Sequence, residues 1–164
     1  MMIIDADMPF PADGIHQLVL DDKDIVAGFY IRTSKAARPT IGHHISGKGI
    51  HLADDYPDNK LFDNYEGNKL VVPTGFTLIK RDVIIAMRYP RFDYIQLYDN
   101  RIGTDWSFCL RATEMGFGVW CDTRVKLPHI GEWGYKAEAY FDNRCMECGR
   151  KKKERGKNKK RMVS

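Results

Sequence analysis

Met2-Ile3-Ile4-Asp5-Ala6-Asp7-Met8 is an apolar run that ends in two carboxylates two residues apart. The run reads as a short buried strand over Met1 to Ala6, and Pro9 and Pro11 then mark a loop. Ile15, Leu18 and Val19 recur at helical spacing, which predicts a helix over Ala12 to Leu20 with those three residues on its buried face. Pro11 suits the start of that helix. Asp21-Asp22 is a turn, and Ile25-Val26-Ala27-Gly28-Phe29-Tyr30-Ile31 is a second strand, apolar on both faces and therefore buried on both.

The middle of the chain, Thr33 to Asn68, is polar and rich in Gly, Pro, Asp and His. It is too long for a plain loop in a compact domain and predicts a small hairpin or a flap. Its histidines His43, His44 and His51 read as solvated. Leu70-Val71-Val72-Pro73 and Gly75-Phe76-Thr77-Leu78-Ile79 are extended segments, and Arg81 to Met87 is a short helix that stops before Pro90. Thr104 stands as the N-cap of a helix to Met115, with Phe108, Ala112 and Met115 as its buried face and Gly116 as its stop. Phe117 to Cys121 is a last strand. Strands alternating with helices predict an α/β fold whose mixed sheet is mostly parallel and flanked by helices.

The chain has 164 residues, enough for one domain that buries roughly 68–70% of its unfolded surface. Its 43% hydrophobic and 29% charged residues exclude a disordered, collagen-like or disulfide-scaffold chain. Apolar runs such as Leu18 to Leu20 are too short to span a bilayer. Met1 to Phe10 carries two aspartates and no basic residue, which predicts no export signal and a cytoplasmic location. The four cysteines then read as free thiols. The net charge of +4 is divided unevenly. Residues 144–164 carry ten Lys and Arg against two Glu, a net of +8, and residues 1–143 carry 16 basic against 20 acidic, a net of −4. The organisation expected is one domain over 1–143 and a basic, disordered tail over 144–164 that solubilises the chain or binds polyanions weakly.

Three groups of residues carry chemistry. Asp5 and Asp7 follow a strand, the place where ligand sites of open α/β sheets lie. Two carboxylates side by side need a cation such as Mg²⁺ or Mn²⁺, or else serve as a helix cap and a solvated turn. Asp105 falls in the first turn of a helix, where it is either a stabiliser of the helix dipole or a general base. His129, in Leu127-Pro128-His129-Ile130-Gly131, follows a strand and is either a structural histidine or a third ligand beside the two aspartates. Cys145-Met146-Glu147-Cys148 is half of a zinc pattern with no second half. Gly42-x4-Gly47-Lys48-Gly49 lacks the hydroxyl residue of a phosphate loop.

In order along residues 2–135, these segments resemble the second half of a family-2-like glycosyltransferase of the GT-A fold. The resemblance rests on Ile4-Asp5-Ala6-Asp7-Met8, Asp24 to Tyr30, Val72-Pro73-Thr74-Gly75 through Arg81, Gly103-Thr104-Asp105-Trp106-Ser107-Phe108 through Ala112, and His129-Ile130-Gly131. It implies metal-dependent transfer of a sugar from a nucleotide-sugar donor to an acceptor hydroxyl. Asp5 and Asp7 would hold Mn²⁺ or Mg²⁺ and the donor diphosphate, His129 would join the metal, Gly75 would face the substrate and Asp105 would be the base. Many relatives carry Glu-Asp where this chain has Thr104-Asp105, so Asp105 alone takes the base role. In the family, a segment that holds base and ribose precedes the Asp-x-Asp, which here begins at residue 5. The resemblance therefore implies a truncated or split enzyme. Such a chain is expected to turn over nucleotide-sugar only poorly alone, and to self-associate or pair with a separately encoded first half. Two other readings stand beside it. One is a non-catalytic remnant acting as an interaction protein through the basic tail. The other is a metal-dependent nuclease or phosphotransferase, which needs more acidic ligands such as Asp54 and Asp55.

Overall fold

The computed structural model describes residues 1–32, 38–130 and 135–141. In chain order the elements are β1 (Met2–Ile4), α1 (Gly14–Asp21), β2 (Ile25–Phe29), β3 (Gly42–Ile45), β4 (Gly49–His51), β5 (Leu61–Phe62), β6 (Asn64–Tyr65), β7 (Asn68–Val71) and β8 (Phe76–Ile79). There follow α2 (Arg81–Ala86), β9 (Ile95–Leu97), β10 (Asn100–Ile102), α3 (Thr104–Glu114), β11 (Val119–Lys126), β12 (Pro128–His129), β13 (Tyr135–Lys136) and α4 (Glu138–Phe141).

The main sheet has five strands in the order β1-β8-β2-β11-β5. Only β2 and β11 pair in parallel; β1–β8, β8–β2 and β11–β5 are antiparallel. The fold is thus α/β with a mixed sheet, and the expectation of a mostly parallel sheet is corrected. Parallel neighbours require a crossover to the far end of the sheet. Between β2 and β8 the chain makes a polar excursion instead and returns from the end where it left. That excursion is the four-stranded sheet β4-β3-β7-β6, so the hairpin expected in the middle is part of a larger unit.

The periodicity of β2 builds two cores. Ile25, Ala27 and Phe29 join a large cluster with Leu70, Val83, Phe108 and Cys121 on one face. Val26 and Tyr30 join Met8, Leu18, Phe76 and Leu127 on the other. Gly28 lies on this second face, where a Cβ would stand 2.8 Å from Leu127 Cδ1. In α1, Leu18 is fully buried, whereas Val19 is exposed; the predicted face was one residue too wide. Because an eight-residue helix without a side-chain cap is marginal alone, its packing holds it, and burying Leu18 contributes about 1.5–3 kcal/mol.

Other expectations also shift. β1 is an edge strand with Met2 and Ile3 half-buried and Ile4 exposed, not a buried one. Gly103, not Thr104, is the N-cap of α3, and Met115 is exposed beyond the helix while Phe108 and Ala112 are buried. Gly116 has φ +91°, the left-handed conformation that ends a helix. The last long strand, β11, runs to Lys126, and the β9–β10 hairpin was not foreseen. His43 is buried and its Nδ1 lies 2.9 Å from the Tyr56 hydroxyl, so it is not solvated. Cys109 and Cys121 are free and buried. Gly131, Cys145, Cys148 and the basic tail lie outside the described residues. Among the described residues, no helix is long and apolar enough to cross a membrane.

Candidate functional site

The strand directions decide where the site lies. β1, β2 and β11 run the same way, and β8 runs against them. The C-terminal ends of the first three and the N-terminal end of β8 therefore meet at one edge of the sheet. Asp5 and Asp7 leave β1 there, Tyr30 and Arg32 leave β2, Gly75 enters β8, and His129 follows β11.

Backbone hydrogen bonds stitch these ends together. Asp5 N–H donates to Gly75 O at 2.9 Å, and Met8 N–H closes a turn onto Asp5 O at 3.1 Å. Met8 is buried in the α1-side core, which anchors the turn. Ile130 N–H donates to Asp7 O at 2.9 Å. The side chains repeat this tie, with His129 Nε2 at 3.2 Å from Asp7 Oδ2.

The tautomer of His129 follows from its other nitrogen. Nδ1 lies 3.0 Å from the Ile31 carbonyl, which only accepts, so Nδ1 carries a proton. In a neutral ring, Nε2 then presents its lone pair to the Asp7 carboxylate. Two lone pairs at this distance repel unless a proton or a metal cation lies between them. Ligand distances of roughly 2.0–2.2 Å put neighbouring donor atoms about 3 Å apart, so this pair fits the coordination of one Mg²⁺ or Mn²⁺ ion. A carbonyl on the distal nitrogen is also the usual support of a ligating imidazole. Asp7 is 50% exposed and His129 17%, which leaves room for further ligands.

Asp5 does not complete a three-residue cluster. Its Oδ2 lies over Gly75, 2.9 Å from where a Cβ on that residue would stand. Among the described residues no group of three or more His, Cys, Asp or Glu side chains is arranged to hold a metal ion. A divalent ion here would have two protein ligands, Asp7 and His129, with the remainder from water or substrate. Mg²⁺ in particular is often held by one or two carboxylates and substrate phosphates.

Beside this pair opens a cavity of about 440 Å³, lined among others by Tyr30, Arg32, Pro73, Asp105, Trp106 and His129. Asp105 sits in the first turn of α3 with Oδ1 accepting the Trp106 N–H at 2.8 Å. Burial pushes its carboxyl pKa up, and the negative charge of Asp5 adds to this. The Trp106 and Asp105 N–H groups and the Arg32 guanidinium pull the other way without cancelling it. The Trp106 indole donates to Thr40 O at 3.2 Å and lies 5.5 Å beneath the Arg32 guanidinium. Arg32 is thereby held at the cavity wall by a cation–π contact.

The structure brings Asp7 to His129, sets Asp5 and Gly75 against each other, and puts Asp105 on the wall of the cavity that His129 also lines. Asp54 and Asp55 stand elsewhere, with Asp55 accepting the Tyr65 hydroxyl, and they supply no ligand here. Tyr30, Arg32 and Trp106 were not read as site residues, apart from Trp106 as a neighbour of Asp105. Tyr30 and Arg32 could have been found from one signal, their position at the C-terminal end of a strand parallel to the one that carries Asp5 and Asp7.

No family model matches the chain, and no curated protein matches it. Among solved structures the chain is similar to the crystal structure of A197 from STIV, with 16% identity and a TM-score of 0.53 over 84% of this chain and 61% of that one. The chain thus spans less than two thirds of that neighbour's length. At this identity the likeness is one of fold, a mixed α/β sheet.

Proposed function

We propose that this chain carries the metal- and acceptor-binding part of a GT-A-type glycosyltransferase, which moves a sugar from a nucleotide-sugar to an acceptor hydroxyl. The observation that carries this reading is the 3.2 Å approach of His129 Nε2 to Asp7 Oδ2 at the mouth of a cavity that Asp105 also lines. Asp7 and His129 would hold Mn²⁺ or Mg²⁺. When bound, that ion supplies positive charge against which a leaving diphosphate develops its negative charge. Asp105 accepts the proton of the acceptor hydroxyl as that oxygen attacks the anomeric carbon. Burial raises its pKa, which makes it a stronger base than an ordinary aspartate. Gly75 is buried and the Tyr30 hydroxyl and Asp5 carboxylate fill the space a side chain would take, so its lack of a side chain serves close packing beneath the site and not contact with substrate. Trp106 and Pro73 offer apolar surface for a sugar face, and Arg32 offers a fixed positive charge.

The test is Mn²⁺-dependent release of nucleoside diphosphate from a panel of nucleotide-sugars, alongside calorimetric binding of the nucleoside diphosphates. Binding that requires Mn²⁺ and disappears in Asp7→Asn is the expected result. Mn²⁺ that binds neither alone nor with a nucleoside diphosphate, or equal binding by the wild type and Asp7→Asn, overturns the reading.

A further inference from the structure

Tyr30 is buried at the cavity wall, with 4% of its surface exposed. Its hydroxyl accepts the Gly75 N–H at 3.1 Å. A Cβ on Gly75 would overlap this hydroxyl and stand 2.9 Å from Asp5 Oδ2, so hydroxyl and carboxylate close on the same point above Gly75. Its ring meets the His129 imidazole edge-on, with centroids 5.3 Å apart and planes at 83°. The next residue, Ile31, supplies the carbonyl that fixes the tautomer of His129. One side chain thus braces the Gly75 backbone and the plane of His129.

We infer that Tyr30 is a positioning residue that sets the metal affinity of the Asp7–His129 pair. The inference rests on the metal-binding reading above. The ring limits rotation of His129 about the axis through Nδ1 and the Ile31 carbonyl, and so aims Nε2 at Asp7. The hydroxyl ties Gly75, whose carbonyl holds the Asp5 N–H at 2.9 Å and hence the start of the turn that carries Asp7. Without the hydroxyl, the Gly75 N–H loses its acceptor and the Asp5–Met8 turn gains freedom. Loss of such support around a ligand costs typically about 10–100-fold in metal affinity.

The experiment is Mn²⁺ binding, read from the free-ion electron paramagnetic resonance signal, for the wild type, Tyr30→Phe, Gly75→Ala and Asp7→Asn. Folding of each is checked by circular dichroism and melting temperature. Tyr30→Phe keeps the ring and removes only the hydroxyl, and Gly75→Ala keeps the hydroxyl and displaces it. Both are expected to bind Mn²⁺ at least 10-fold more weakly than the wild type while folded, which a purely structural role would not produce. If either folds and binds as the wild type does, while Asp7→Asn does not bind, the role of Tyr30 is overturned and the metal site stands. If the wild type binds no better than Asp7→Asn, the metal reading falls, and the role of Tyr30 falls with it.

Discussion

Asp7 and Asp105 are the same side chain in two environments, and the roles proposed for them differ accordingly. Asp7 is half-exposed and faces His129, a place for a charged ligand. Asp105 is the more buried, and burial raises its pKa above the ordinary 3.8. In an active preparation, kcat/KM should rise with pH as Asp105 loses its proton, with the midpoint above 3.8. Asp105→Asn should lower kcat by about 10²–10⁴-fold and remove that rise. A pH profile unchanged in the variant would sink the base assignment. At this scale the sequence singles out Asp5 and Asp7 by the apolar run before them and Asp105 by its place in the first turn of a helix. It does not single out Tyr30, because a tyrosine at the end of Ile25-Val26-Ala27-Gly28-Phe29 has the pattern of a core residue. Its hydroxyl becomes informative only when Gly75 is brought beside it by a strand 45 residues away.

At the scale of elements, local pattern located helices α1, α2 and α3 and strands β1, β2, β7, β8 and β11 but not the other strands, and it missed the strand directions. Helix α2, at Arg81–Ala86, was legible from Asp82 and the approaching Pro90. The orientation of β8 was not, because it depends on where the chain goes between Ile31 and Pro73, a polar stretch without strong periodicity. The clamp between α1 and β11 was equally hidden, since its members lie about a hundred residues apart. Asp21 is 4% exposed and Asp122 is fully buried, and Arg124 reaches both, at 2.6 Å to Asp21 Oδ1 and 2.8 Å to Asp122 Oδ1. Burial, followed by the neighbouring Asp122, raises the pKa of Asp21. A carboxyl whose folded pKa lies above its unfolded one contributes stability that is fully present below the unfolded value near 3.8 and is lost as pH rises through the folded value. The unfolding free energy of the wild type minus that of Asp21→Asn should therefore fall as pH rises above the ordinary 3.8. Urea titrations across that range measure it, and a difference that is flat or grows with pH would contradict the shared-charge account.

The whole molecule gathers its site from the ends of β1, β2, β8, β11 and α3, so anything that binds there links segments distant in sequence. Asp7 and His129 are 122 residues apart and belong to opposite ends of the described chain. A cation held between them binds the folded state and finds no such pair in the unfolded chain. Mass action then ties metal occupancy to global stability. At a free Mn²⁺ concentration of 100 times its Kd the gain is about 2.7 kcal/mol. For a chain of this size that corresponds to a rise in Tm of roughly 5–10 °C. Asp7→Asn and His129→Ala should each melt at the same temperature with and without Mn²⁺. The comparison separates the two ways of relieving the lone-pair repulsion. If a shared proton alone joins Asp7 and His129, Mn²⁺ leaves the wild-type Tm unchanged. If the site is a metal site, the Mn²⁺ shift is present in the wild type, absent in both variants and reversed by a chelator. A shift equal in all three proteins would mean that the ion binds elsewhere, and would remove the support that the Asp7–His129 geometry gives to a metal-dependent transferase.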